Sequence, residues 1–152
     1  MYIYLGQLMV RSVSGKLSTD ELVMRSCLRI ASSMRSMWEE TGSSDTRLLM
    51  EPLISDALVI AGQSRKGADR REHVVPRVFI CHECHRLFQA GRTIPQVAEF
   101  IAQHLRIVRI SIEEQRHLDQ NLRLKQTMPI GWSVGDDIYA RLRVAGIEFD
   151  LV

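Results

Sequence analysis

The sequence predicts a mainly helical α+β fold in one domain, with an N-terminal helical hairpin and a C-terminal part that contains a small sheet. Three observations lead there. The 152 residues are 45% apolar, 25% charged and 6% aromatic, which suits one core and leaves little room for two. Capping boxes formed by Ser18 with Glu21, Thr93 with Gln96 and Ser111 with Glu114 each introduce a helical stretch. The run Arg106-Ile107-Val108-Arg109-Ile110 reads as a short strand.

The elements follow in chain order. An apolar start over 2–13 reads as a strand or hairpin. Behind the Ser18 box, Val23, Cys27, Ile30, Ala31, Met34 and Trp38 recur on one stripe, Arg25, Arg29 and Arg35 lie largely off it, and Gly42 ends the helix. A second helix is expected over about 45–61, where Leu49, Leu53, Ala57 and Ile60 align and Pro52 marks either its start or a kink. The two pack as the hairpin. Residues 62–71 have no apolar period, so 65–72 reads as a basic linker between a helical subregion over 1–64 and an α/β subregion over 73–152.

Helix 76–90 comes next: Pro76 suits its first turn, Gly91 closes it, and Ile80, Cys84, Leu87 and Phe88 recur at helical intervals. Over 93–105, Val97, Phe100, Ile101 and His104 share a face. After the strand at 106–110, the Ser111 box opens a helix to about Gln120. Met128-Pro129-Ile130-Gly131-Trp132 is loop, and Asp136 opens a last helix that Gly146 closes before 147–152.

Lys and Arg total 20 against 18 Asp and Glu, and a net charge of +2 does not by itself announce a nucleic-acid binder. Locally the balance differs. Arg65, Lys66, Arg70, Arg71 and Arg77 face only Asp69 and Glu72, which makes them a candidate phosphate-contacting edge beside the simpler reading of a solvated loop. Three cysteines, Cys27, Cys81 and Cys84, are too few for a disulfide framework and fit a reducing compartment. Cys81-His82-Glu83-Cys84 offers half a zinc site, and His104 and His117 lie at unsuitable intervals to supply the rest, so Cys84 reads as a small core hydrophobe and no metal is expected there.

No run approaches the roughly 18 apolar residues of a membrane span, and the start lacks the basic flank of a secretion signal, so the chain is expected to be cytoplasmic, with no membrane partner. Phosphate-loop, dinucleotide and nucleophile-elbow signatures are absent. A helix-turn-helix over 93–112 would need a recognition helix where 106–110 reads as strand.

The most distinctive string is Glu72-His73-Val74-Val75-Pro76, an acid and a histidine entering an apolar pair and then proline. It resembles the first motif of the HNH endonucleases, the ββα-metal nucleases. Ile107-Val108-Arg109-Ile110-Ser111-Ile112-Glu113-Glu114-Gln115-Arg116-His117-Leu118 is similar to the strand and capped helix that end that family's motif. Together they cover roughly a third of the chain, and residues 1–71 have no counterpart.

The resemblance implies phosphodiester hydrolysis, with Glu72 as acidic metal ligand, His73 as general base and a divalent ion as cofactor. Gln115 occupies the position of the family's metal-binding histidine, and a neutral amide is a poor replacement. His117 lies about 200° further around a helix, and Asn121 is a candidate orienting residue. A degenerate HNH-like protein of phages or other mobile elements is thereby implied, one that binds nucleic acid or a nucleoprotein complex without an efficient active site. A non-enzymatic alternative is an anti-CRISPR-like inhibitor that engages a host defence complex through protein–protein contacts. A zinc-dependent adaptor would rest on Cys81 and Cys84 alone.

Overall fold

The computed structural model describes residues 15–152, so the strand or hairpin expected over 2–13 lies outside the described residues. Contacts divide the chain into two units, Met1–Leu58 with Cys81–Gln103 and Val59–Ile80 with His104–Val152. The class is α+β, with helices joined by a four-stranded mixed sheet. Among the described residues no helix is long and apolar enough to cross a membrane.

The first unit opens with α1, Thr19–Thr41. Ser18 stays extended, its hydroxyl accepts the Glu21 N–H at 3.2 Å, and Glu21 Oε2 accepts the Ser18 N–H at 3.2 Å. Two otherwise unpaired donors are thus satisfied, and Asp20 and Glu21 meet the positive end of the helix. The predicted stripe is the buried face, from Val23 through Cys27, Ile30 and Ala31 to Met34. Trp38 continues it by stacking on Phe88, with ring centroids 6.2 Å apart. At Gly42, φ of 75° places the chain in the left-handed region, where a side chain would be strained, and its N–H closes on Trp38 O at 2.8 Å.

The expected second helix over 45–61 does not form, and with it goes the helical hairpin. Instead the chain makes two single 3₁₀ turns, Thr46–Leu49 and Asp56–Leu58, and enters a strand at Ile60. Pro52 supplies no N–H for a helical ladder and holds the residue before it away from helical geometry. Leu49 and Ile54 are buried all the same, so the apolar spacing fills a core without a helix.

Two more helices, α2 over Arg77–Gln89 and α3 over Ile94–His104, supply most of the remaining apolar surface. Between them, the Gly91 N–H bonds Phe88 O and the Arg92 N–H bonds Leu87 O, both at 3.0 Å, which ends α2 in a Schellman motif. The Thr93–Gln96 box then starts α3, at 2.9 and 3.3 Å. Cys27, Cys81 and Cys84 are all buried and form no disulfide among the described residues. Burial pushes the Cys84 thiol far above its ordinary value, with smaller pushes from Cys81, Glu83 and Cys27, which keeps it neutral.

The second unit holds the sheet: β1 (Ile60–Ser64), β2 (Arg70–His73), β3 (Ile107–Ile110) and β4 (Phe149–Leu151), in the order β2-β3-β1-β4. β1 runs parallel to β3, while β2 with β3 and β4 with β1 are antiparallel. The basic linker expected over 65–72 is therefore a tight turn, bridged from Ser64 to Gly67, followed by an edge strand. Its charged sequence shows no apolar alternation, and its strand state comes from the ladder to β3. Charged side chains such as Arg70 and Arg71 suit an edge, where they discourage pairing with another chain. Gly62 permits the close approach of β4, since a Cβ there would stand 2.8 Å from Asp150 O.

After β3, a buried capping box between Ser111 and Glu114 (2.9 and 3.1 Å) starts α4, Ile112–Arg116, which runs on as a π-turn, His117–Asn121. The last helix, α5, covers only Ala140–Val144. It does not open at Asp136 because Asp136 is spent on the Ser133 N–H and Asp137 on the Tyr139 N–H, which fold 133–139 into turns. Gly146 closes α5 in a second Schellman motif, with the Ile147 N–H on Leu142 O at 2.9 Å.

Candidate functional site

β2 ends on the acid–histidine pair, and the apolar residues after it turn inward: Val74 and Val75 are wholly buried, and the Val74 N–H bonds Arg106 O at 2.9 Å. Against Glu72 lies Arg141 of α5, whose side chain is 0% exposed beside 13% for Glu72. Arg141 Nη2 donates to Glu72 Oε1 at 2.9 Å, Nη1 to His73 O at 2.7 Å and Val74 O at 3.4 Å, and Nε to Leu124 O at 2.8 Å. Acceptors thus surround the planar fork, the condition under which a buried guanidinium is tolerated.

The helix α4 converges on the same carboxylate. Gln115 Oε1 accepts from Arg70 Nε at 3.2 Å, and the Gln115 side chain also hydrogen-bonds Glu72. Burial pushes the Glu72 carboxyl above its ordinary value and Asp119 adds to the rise, while the Arg141 charge and the hydrogen bonds from Arg141 and Gln115 pull against it. Glu72 and Gln115 therefore meet. Arg141 is the residue that sequence reading missed. Its spacing with Ile138, Leu142 and Ala145 follows the three-and-four rhythm of an inward helical face, which is the signal that marks it.

The divalent ion that the resemblance implies does not fit these residues. A hard cation needs several oxygen or imidazole ligands, whereas Glu72 Oε1 already holds a guanidinium and the amide oxygen of Gln115 is engaged by Arg70. The fixed charge of Arg141 would also repel a second cation at this range.

His117 belongs elsewhere. Its Nδ1 lies 3.0 Å from Asn121 Nδ2, and His117 lines a separate cleft of about 400 Å³ with Lys66, Glu113, Glu114 and Gly146. Neither Glu72 nor His73 lines that cleft. Glu114 Oε1 is used by the Ser111 N–H, and the buried Oε2 has no hydrogen-bond partner among the described residues.

The five basic residues singled out in the sequence are not brought into one patch. Arg65 is paired with Glu148 at 3.3 Å and Asp150 at 3.1 Å, and the hydrogen bond to Asp150 is the main cause raising its guanidinium above the ordinary value. Lys66 borders the His117 cleft and Arg77 opens α2. Arg70 and Arg71, as strand neighbours, point to opposite faces. Arg70 goes to Gln115, while Arg71 stands opposite Arg109 of β3, with Gln63 of β1 next across the sheet. Arg109 is thus a basic residue that only strand register reveals. No protein-family model, curated protein or solved structure matches the chain.

Proposed function

We propose that the chain is a degenerate HNH-like protein that binds nucleic acid, alone or within a nucleoprotein complex, and does not cleave it. Its main support is the Glu72–Arg141 pair. Hydrolysis of a phosphodiester needs positive charge placed to stabilise the pentacoordinate phosphate. Here the acid that would hold that charge is closed by a guanidinium whose donors are directed into the protein. Binding draws on a different set. Arg71 and Arg109 stand opposite each other on neighbouring strands, two guanidinium groups in register of the kind that contacts phosphates. The second unit also carries twelve Lys and Arg against nine Asp and Glu, whereas the first carries eight against nine. Contacts of this type read phosphate rather than base sequence.

Fluorescence anisotropy with labelled duplex and single strand across a salt series tests the binding. Arg71→Ala and Arg109→Ala are each expected to weaken it and to flatten the slope of log affinity against log salt by about 0.9 on duplex DNA. A plasmid assay across Mg²⁺, Mn²⁺, Ni²⁺ and Zn²⁺ is expected to show no cutting. Metal-dependent cutting that disappears in His73→Ala would restore the nuclease, and absence of binding at low salt would favour the protein-binding inhibitor.

A further inference from the structure

The cleft lined by His117 lies wholly within the second unit and takes in neither Glu72 nor Arg141. Its walls are pinned. The β1–β2 turn that carries Lys66 packs on the start of α4, so closely that a Cβ on Gly67 would stand 3.2 Å from Ser111 Cβ. A further wall is the Schellman turn through Gly146, which leads into buried Ile147. The next carbonyl, Glu148 O, accepts the Arg65 N–H at 3.0 Å and ties that wall to the β1–β2 turn. A cleft of about 400 Å³ with walls fixed in this way has the size and preorganisation of a small-molecule site.

Three ionic groups in its lining are unspent among the described residues. Glu114 is only 7% exposed, and the capping box uses one of its carboxylate oxygens: Oε1 accepts the Ser111 N–H at 2.9 Å, while the Ser111 hydroxyl accepts the Glu114 N–H at 3.1 Å. That grip fixes the carboxylate, yet Oε2 is buried with no hydrogen-bond partner among the described residues. A buried carboxylate oxygen left unpaired is costly, and the open volume that Glu114 lines is where a donor enters. Glu113 and Lys66 line the same cleft with exposed side chains that make no ion pair among the described residues, not even with each other.

The ligand class follows from these groups. Glu114 Oε2 requires an N–H or O–H donor, and Glu113, a second carboxylate, selects a positively charged one, an ammonium. A metal ion is disfavoured, because no three His, Cys, Asp or Glu among the described residues are grouped to hold one. Two carboxylates also repel a phosphate backbone, which separates this cleft in chemistry from Arg71 and Arg109. Lys66 is a cation that a plain amine would leave unpaired. We propose that the cleft binds a small zwitterion: its ammonium group donates to Glu114 Oε2 beside Glu113, and its carboxylate is held by Lys66. Such a site operates whether or not the chain binds nucleic acid.

The test is an amide-detected NMR titration of the full chain with γ-aminobutyrate, butylamine and butyrate, probes that share one chain length and differ in charge. Saturable shifts at Gly67, Glu114 and Gly146 are expected with γ-aminobutyrate, and about tenfold weaker binding with the other two, each of which lacks one charge. Glu114→Gln keeps an oxygen for the Ser111 N–H and replaces the free acceptor by a donor, while Lys66→Met removes the cation at an exposed position. Each should weaken γ-aminobutyrate about tenfold with the amide shifts elsewhere in place. Glu113→Gln, at an exposed side chain, carries the same test if Glu114→Gln disturbs the helix start. Absence of saturable shifts at these amides overturns the site and leaves Oε2 to solvent. Equal affinity for butylamine and γ-aminobutyrate, or indifference to Lys66→Met, overturns the zwitterion in favour of a plain amine. Neither result bears on nucleic-acid binding, which the anisotropy series reads separately.

Discussion

Where the first unit places Cys27, Ile30 and Cys84 at its centre, the second places the guanidinium of Arg141. The first unit's two capping boxes, Ser18–Glu21 and Thr93–Gln96, are exposed, and its buried Ser26 hydroxyl is spent on the backbone of its own helix at Leu22 O. In the second the polar work lies inside: Glu72 faces Arg141, and the Ser111–Glu114 box is buried. An apolar centre is indifferent to pH and tolerates exchange of similar volumes. A charged centre makes each member depend on its partner, because either one alone is left buried and uncompensated.

The sharpest way to break this contrast is Arg141→Met. It is expected to cost about 3–5 kcal/mol in urea unfolding at pH 7, and adding Glu72→Leu should recover more than half of the loss. If Arg141→Met is nearly neutral, the second unit is not organised around its charge. The pH dependence follows from the same pair. The folded Glu72 carboxyl sits above its ordinary 4.5, so its contribution to stability is full below that pH and fades as pH rises through the raised value. Glu72→Gln should remove that component. In Arg141→Met the lowering influence of the cation is gone and the carboxyl rises further, so the variant's deficit should narrow as pH falls from 7 to 5.

Next in size is Gly62→Ala, whose Cβ meets backbone at Asp150 O. Separating β4 from β1 to relieve it should cost about 1–3 kcal/mol in the same measurement. The smallest effects compare like with like. Ser111→Ala should cost about 1–2 kcal/mol, because it strands a buried Glu114 N–H, and Ser18→Ala about 0.5–1 kcal/mol, because water reaches the Glu21 N–H. Equal costs would mean that burial does not distinguish the two boxes.

Helix starts were legible because their signals lie within four residues: Ser18 with Glu21, Thr93 with Gln96, Ser111 with Glu114. The β3 run was legible from its own apolar residues. By contrast, Arg70 to His73 carries the composition of a loop, and its strand state depends on pairing with residues far along the chain. Leu49 and Leu53 have helical spacing, but Pro52 stands between them, and the local chemistry of proline prevails. Within the site, no local signal joins Glu72 to Arg141, 69 residues further along the chain, so the buried pair is a product of the fold. The basic cluster was legible as charge but not as direction: only register separates Arg70 from Arg71 and joins Arg71 to Arg109.

The strand order also governs when the sheet can exist. β1 pairs with nothing close to it along the chain beyond its tight turn; Gln63 waits for Arg109 on one side and Asp150 on the other. The helices α1, α2 and α3 can begin to form from local contacts, while closing β1 against β3 requires the chain between them to collapse first, a slow step for non-local parallel pairing. Until Phe149–Leu151 arrives, the far edge of β1 stays open to strands of other molecules. A three-residue strand thereby acts as the closing stitch of folding, and the narrow passage over Gly62 that admits it also limits which segments can take its place.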